Sequence, residues 1–133
     1  MTSSTALLTD RYELTMLAAS LRDGTAARPS VFELFSRRLS GGRRFGVVAG
    51  TGRLLSLIRD FRFGDDELRF LRDNDVVDAD SLRYLEDYRF TGTIRGYREG
   101  ELYFPGSPIL TVEGSFADAV VLETLALSVL NHD

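Results

Sequence analysis

Ser115 followed by Phe116 to Leu130 constrains this chain more than any other stretch, because the segment has helical character and is apolar almost all round. Ser115 is an N-cap type, and Asp118 stands three residues later as a capping partner of a less usual kind. A helix without a polar face must be buried on most of its surface. Only Asn131, His132 and Asp133 follow it, so no later element of the chain can cover its outer side. If half of its roughly ten apolar side chains stayed wet, forgoing about 1.5–3 kcal/mol each would remove on the order of ten kcal/mol, comparable with the stability of a whole domain. The pattern therefore predicts a chain that is the first part of something larger, with poor solubility alone.

The other elements are shorter. Leu14, Leu17, Ala18 and Leu21 recur at helical spacing and Gly24 stops them, predicting a first helix. Asp10 is its N-cap, with Glu13 three residues on in a capping-box arrangement. Equally, Asp10 and Tyr12, two apart at a helix start, could grip a flat polar ligand. Val31-Phe32-Glu33-Leu34-Phe35 is apolar on both faces, which suits a buried strand. Ser40-Gly41-Gly42 then predicts a hairpin tip flanked by Arg37, Arg38, Arg43 and Arg44, with Phe45 to Ala49 returning as a strand. Leu54, Leu55 and Ile58 mark a second helix ending near Asp60, and shorter helical stripes follow around Asp66 to Arg72 and Ser81 to Tyr88. From Phe90 the period changes to two, and Pro105-Gly106-Ser107-Pro108 predicts a hairpin or a tight β corner.

Composition narrows the function classes. With 133 residues and 44% apolar content the chain suits one packed domain. The absence of cysteine excludes disulfides, a thiol nucleophile and thiolate metal ligands. A net charge of −4 disfavours a nucleic-acid partner. No apolar run reaches transmembrane length and the start lacks a signal-peptide pattern, so no membrane partner is expected and a cytoplasmic location is the default. All 16 basic residues are Arg, which reads as compositional bias and lowers the weight of any single guanidinium. Gly46, Gly50 and Gly52 match neither GxGxxG nor GxxxxGK[ST], so turn and close-packing roles are expected of them. One His and scattered carboxylates form no metal-ligand set.

Taken together, LLTDRYELTM (Leu7 to Met16), FELFSRRL (Phe32 to Leu39), FGVVAGTGRLL (Phe45 to Leu55), YLEDYRFTGTI (Tyr84 to Ile94), EGELYFPGSPILTVEGSF (Glu99 to Phe116) and LETLALSVLNHD (Leu122 to Asp133) resemble the opening of a nicotinate phosphoribosyltransferase, over nearly the whole chain. The resemblance implies an α+β fold, the hammerhead-type N-terminal domain of a type II phosphoribosyltransferase spanning residues 1–133, leading into an α/β barrel that is missing here. It implies the joining of nicotinate to 5-phosphoribosyl 1-pyrophosphate in NAD salvage, coupled to ATP and needing Mg²⁺. A head-to-tail homodimer with shared active sites is likewise implied. Tyr12 matches the family's aromatic residue that stacks on the pyridine ring in the neighbouring subunit's site, and Asp10 matches its acidic residue near that site. The bland alternative for Tyr12 is a tyrosine packed at a domain surface. Arg37 or Arg38 matches the basic residues that lie near the phosphate end. No catalytic residue is expected within these 133, since the resemblance places the family's phosphorylated histidine far downstream in the barrel, and His132 reads as a helix C-terminal residue. Two other readings remain open. The nicotinamide-specific relative usually carries Lys-x-Thr-His where this chain has Glu13-Leu14-Thr15-Met16, and a non-catalytic dimerisation or interaction domain would suit the chain in isolation.

Overall fold

A computed structural model of the chain describes residues 4–133. After a 3-10 turn at Ala6–Leu8, helix α1 (Arg11–Asp23) buries Leu14 and Leu17 and ends where Gly24 adopts φ +80, a left-handed conformation that favours glycine. The amides of Gly24, Thr25 and Ala26 all donate to the Ser20 carbonyl, which closes the helix and turns the chain into strand β1 (Pro29–Phe35).

Strand β1 is an edge strand. Among the described residues its one partner is β5 (Pro108–Ser115), which lies between β1 and β3 (Thr93–Gly96) in an antiparallel sheet of order β1-β5-β3. The expectation of a strand buried on both faces is therefore corrected: Phe32 and Leu34 turn toward the core, whereas Val31, 63% exposed, and Phe35 face solvent. The expected hairpin around Ser40–Gly42 is corrected as well. Strand β2 (Gly46–Val47) pairs with β4 (Leu102–Tyr103) in a separate two-stranded ribbon, so the Arg-flanked turn links two sheets. Pro105 to Ser107 passes the chain from that ribbon into β5, the corner and not the hairpin of the two alternatives, and the Gly106 amide anchors it on the Ser36 carbonyl at 2.8 Å.

Helices α2 (Thr51–Asp60), α3 (Asp65–Asp73) and α4 (Ala79–Glu86) lie close to their expected positions. Asp78 caps α4 by accepting the Ser81 amide at 2.9 Å. The rings of Phe61, Phe63 and Tyr88 pack edge-on at centroid separations of 5.5–6.1 Å, closing the core beneath these helices.

The long apolar helix is broken. It forms α5 (Phe116–Val120) and α6 (Glu123–His132), with a turn at Val121-Leu122 between them. Ser115 caps α5 as expected, its Oγ accepting the Asp118 amide at 3.1 Å, while the amides of Phe116 and Ala117 donate to Arg28 and Ala26. The break lets α5 pack on α1 and the sheet while α6 packs on α2. Ala117, Ala119, Val120, Val121, Leu122, Leu125, Ala126 and Val129 are consequently all buried, and among the large apolar side chains of this stretch only Leu127 stands exposed, at 47%. The bare outer face expected of one straight helix does not form, and the argument for poor solubility falls with it.

Candidate functional site

The site is built where the first turn of α1 meets the first turn of α6. Asp10 has the extended backbone of an N-cap residue, but its carboxylate makes no capping bond to α1. It accepts instead from the Thr124 hydroxyl at 3.2 Å. Glu13 likewise forms no capping box. It lies on the helix face of Leu17 and is fully buried. Its Oε1 accepts the Thr124 amide at 2.9 Å and also the Thr124 hydroxyl, while its Oε2 accepts the Thr9 hydroxyl. Leu122, the residue in the N-cap position of α6, has no side-chain acceptor, so Glu13 caps α6 from a different helix. No ion pair among the described residues includes Glu13. Burial pushes its carboxyl above the ordinary value of 4.5, with the hydrogen bonds from Thr124 and Thr9 opposing and the charge of Glu123 adding.

Tyr12, the residue before Glu13, points outward and is 46% exposed. Its hydroxyl donates to Glu123 Oε1 at 2.7 Å. That bond, then burial, then the charges of Glu123, Glu13 and Asp10 all raise the phenol far above its usual range, so it remains a protonated donor. One edge of the ring is thus tethered while the ring remains partly open to solvent. Asp10 and Tyr12 thus both reach the first turn of α6, through Thr124 and Glu123.

Two adjoining cavities run between β1 and α6. The first, of about 230 Å³, has a mainly apolar floor of Phe32, Leu34, Val112 and Leu122 and reaches Glu123. The second, of about 470 Å³, is lined by Arg37, Arg38 and Arg43 together with Leu130 and Asn131. Leu34 and Leu127 line both. Tyr12 is therefore linked through Glu123 to one end of a trough whose other end is basic, and the run of α6 from Glu123 to Leu130 spans about 10 Å. Arg37 and Arg38 are exposed and make no ion pair among the described residues, which leaves two guanidinium forks available to an anion. Arg43 is committed to its own turn, donating to the Ser40 carbonyl at 3.2 Å and hydroxyl at 3.0 Å.

The glycines hold packing and turn roles. Gly50, at φ +91, and Gly52 donate their amides to the Glu99 carboxylate at 3.0 and 2.9 Å, so the N-terminus of α2 already holds an anion of the chain's own. Gly46 lies under the Tyr103 ring, where a side chain would collide. Among the described residues no group of three or more His, Cys, Asp or Glu could hold a metal ion. Among the same residues no helix is long and apolar enough to cross a membrane.

Sequence reasoning missed Glu123 and Thr124 and misread Glu13. The available signals were a carboxylate on the apolar stripe of α1 and a Glu-Thr pair interrupting an otherwise apolar run.

Residues 7–131 match the family model described as the nicotinate phosphoribosyltransferase (NAPRTase) N-terminal domain. A nicotinate phosphoribosyltransferase of Mycobacterium tuberculosis is 62% identical over 127 residues, covering 96% of this chain and 28% of that protein. The crystal structure of human nicotinic acid phosphoribosyltransferase superposes with a TM-score of 0.82 at 34% identity, over 92% of this chain and 25% of that one. The nicotinate-nucleotide pyrophosphorylase of Pyrococcus furiosus shares the fold, with a TM-score of 0.66 at 19% identity, over 95% of this chain and 25% of that one. The chain thus spans about a quarter of the length of the relatives it matches. With its mixed helices and sheets and its match from Leu7 to Asn131, it belongs to the nicotinate phosphoribosyltransferase family, in which it corresponds to the N-terminal domain.

Proposed function

We propose that this domain serves a nicotinate phosphoribosyltransferase of NAD salvage, which joins nicotinate to 5-phosphoribosyl 1-pyrophosphate with coupled ATP hydrolysis in the cytoplasm. The observation that carries the reading is the Tyr12 ring, partly open to solvent with its hydroxyl tethered to Glu123 and Asp10 beside it. A pyridine carboxylate is flat and electron-poor, and such a ring stacks offset on a phenol. Asp10 contributes a carboxylate to the same wall, and Arg37 and Arg38 meet the phosphate end of the second substrate as bidentate forks. In this reading the domain belongs to a head-to-tail homodimer and Tyr12 serves the neighbouring subunit's site. Mg²⁺ and ATP belong to the complete enzyme in this reading, the metal travelling largely with the substrate phosphates. The 133 residues alone are inactive in this reading, since they position substrate and carry no phosphorylated histidine.

The test is steady-state kinetics of the complete enzyme. Tyr12→Ala should raise KM for nicotinate roughly two- to twelvefold, the equivalent of about 0.5–1.5 kcal/mol of stacking, while Tyr12→Phe largely preserves binding, because it keeps the ring face and loses only the exposed tether to Glu123. Hybrids pairing a Tyr12→Ala subunit with one lacking the phosphorylated histidine should turn over with the wild-type KM for nicotinate, because their one site with a histidine then carries an intact Tyr12. Wild-type kinetics for Tyr12→Ala would reduce the residue to surface packing. Hybrids that keep the raised KM of Tyr12→Ala despite proven subunit exchange would refute the cross-subunit placement.

A further inference from the structure

Tyr12 sits in the first turn of a helix, the part most prone to fray, yet a stacking platform works only if its ring is held at a fixed angle. Asp10, in the cap position, does not secure that turn, since its side chain bonds none of α1's free amides. The group placed to do so is Glu13, the residue after Tyr12. We propose that Glu13 is a positioning residue for the Tyr12 ring, tying the first turn of α1 to the first turn of α6 through Thr124; this rests on the reading of Tyr12 as the pyridine-stacking residue.

The geometry has a specific economy. Glu13 accepts from the amide and hydroxyl of Thr124 and from the hydroxyl of Thr9, so one carboxylate joins the segment leading into α1, the helix itself and α6. Tyr12 precedes Glu13, and Glu123, which takes the Tyr12 hydroxyl, precedes Thr124. The ring and its acceptor are therefore each one residue from the two ends of the Glu13–Thr124 link, and fixing that link fixes both. Hydrogen bonds inside a protein are stronger than the solvent-exposed Tyr12–Glu123 bond, which can orient the ring only if its two backbones already stand at the right distance. A buried carboxylate with no cation partner is a costly way to cap a helix, whereas a Ser or Asp in place of Leu122 would cap α6 locally. What the local cap would not do is reach across to the turn that carries Tyr12.

The test compares Glu13→Ala, Glu13→Gln, Thr124→Val and Tyr12→Ala, with the Glu13→Ala/Tyr12→Ala double variant, in the complete enzyme. Glu13→Ala should raise KM for nicotinate by up to the roughly two- to twelvefold effect of losing the stack, with kcat and KM for the phosphoribosyl donor unchanged. Glu13→Gln should restore it, because an amide oxygen still accepts from Thr124 and the amide nitrogen can donate to Thr9. The double variant should match Tyr12→Ala alone, since a ring that is absent cannot be mispositioned. A folded Glu13→Ala enzyme with wild-type KM for nicotinate, or one in which kcat and both KM values change together, would overturn the proposal. So would full additivity in the double variant. If Glu13→Ala does not fold, Thr124→Val decides: it keeps the side-chain volume and removes one donor, and a wild-type KM there overturns the proposal. A wild-type KM for Tyr12→Ala would remove the stacking reading and the positioning role with it, whereas a Tyr12 effect without a Glu13 effect removes only the latter.

Discussion

Glu99→Ala is the sharpest probe of how this chain handles an exposed helix start. Gly50, in the N-cap position of α2, has no side chain, so the amides of Gly50 and Gly52 rely on the two oxygens of Glu99 at 3.0 and 2.9 Å. Losing an N-cap acceptor costs about 0.5–2 kcal/mol, and removing a negative charge from a helix N-terminus costs about 0.3–1 kcal/mol. Glu99 is exposed, which weakens both contributions by solvent screening, so a combined loss of about 1–2 kcal/mol is expected. For a chain of this length that corresponds to a Tm lower by roughly 3–8 °C. Glu99→Gln keeps one oxygen acceptor and should lose about half as much. Thermal and urea unfolding, followed by circular dichroism at low and high NaCl, measure both. The deficit should narrow at high salt because its charge part is screened. Inorganic phosphate should then stabilise Glu99→Ala more than wild type, by about 1.4 kcal/mol at ten times its Kd, because the vacated amides form an anion site. An unchanged Tm in Glu99→Ala, or equal phosphate effects on both proteins, would refute the assignment of Glu99 as an external cap.

Two further outcomes follow from the buried polar groups. Tyr88→Phe should lower stability by about 1–3 kcal/mol in urea unfolding, because the Tyr88 hydroxyl donates to the Asp118 carbonyl at 2.5 Å and its loss leaves that acceptor orphaned; a change under about 0.5 kcal/mol would show that water fills the role. Glu13→Gln should gain stability relative to wild type as pH rises. The Glu13 carboxyl has a raised value in the fold, so its contribution is full below the ordinary 4.5 and is lost as pH climbs through the raised value, whereas Gln mimics the protonated form at every pH. Urea midpoints at pH 4.5 and 7.5 decide this, and parallel curves for the two proteins would contradict a raised value.

The local elements were legible because their signals are local. Gly24 ends α1 in the left-handed conformation, Ser115 caps α5, and Leu54 with Ile58 marks the buried stripe of α2. Pairing was not legible: alternation along Val31 to Phe35 says which side chains share a face, but not that β5 covers only one edge of the strand. The Arg-flanked turn read as a hairpin because the two runs beside it are neighbours in sequence, yet each finds its partner beyond residue 100. Nor could the break between α5 and α6 be read, since Val121 and Leu122 are ordinary helix residues and no Gly or Pro marks the place. The new helix start is supplied by Glu13, more than a hundred residues away, which takes the Thr124 amide. Of the candidate site, Tyr12, Asp10, Arg37 and Arg38 were visible as exposed residue types in a motif, whereas Glu123 and Thr124 gain meaning only when α6 is placed against α1.

The first turn of α1 departs from local rules three times within four residues. Asp10 holds the cap position and gives its carboxylate to another helix, Tyr12 exposes a ring, and Glu13 buries a carboxylate without a cation. The rules themselves operate in this chain, since Asp78 and Ser115 occupy equivalent positions at α4 and α5 and cap their helices. The same residue types therefore behave normally where only a helix start is at stake. Departures concentrated in one turn are expected where a second requirement competes with local stability. All three serve a common geometric end: they turn the side chains of Asp10, Tyr12 and Glu13 toward the first turn of α6 and leave the Tyr12 ring partly open between them.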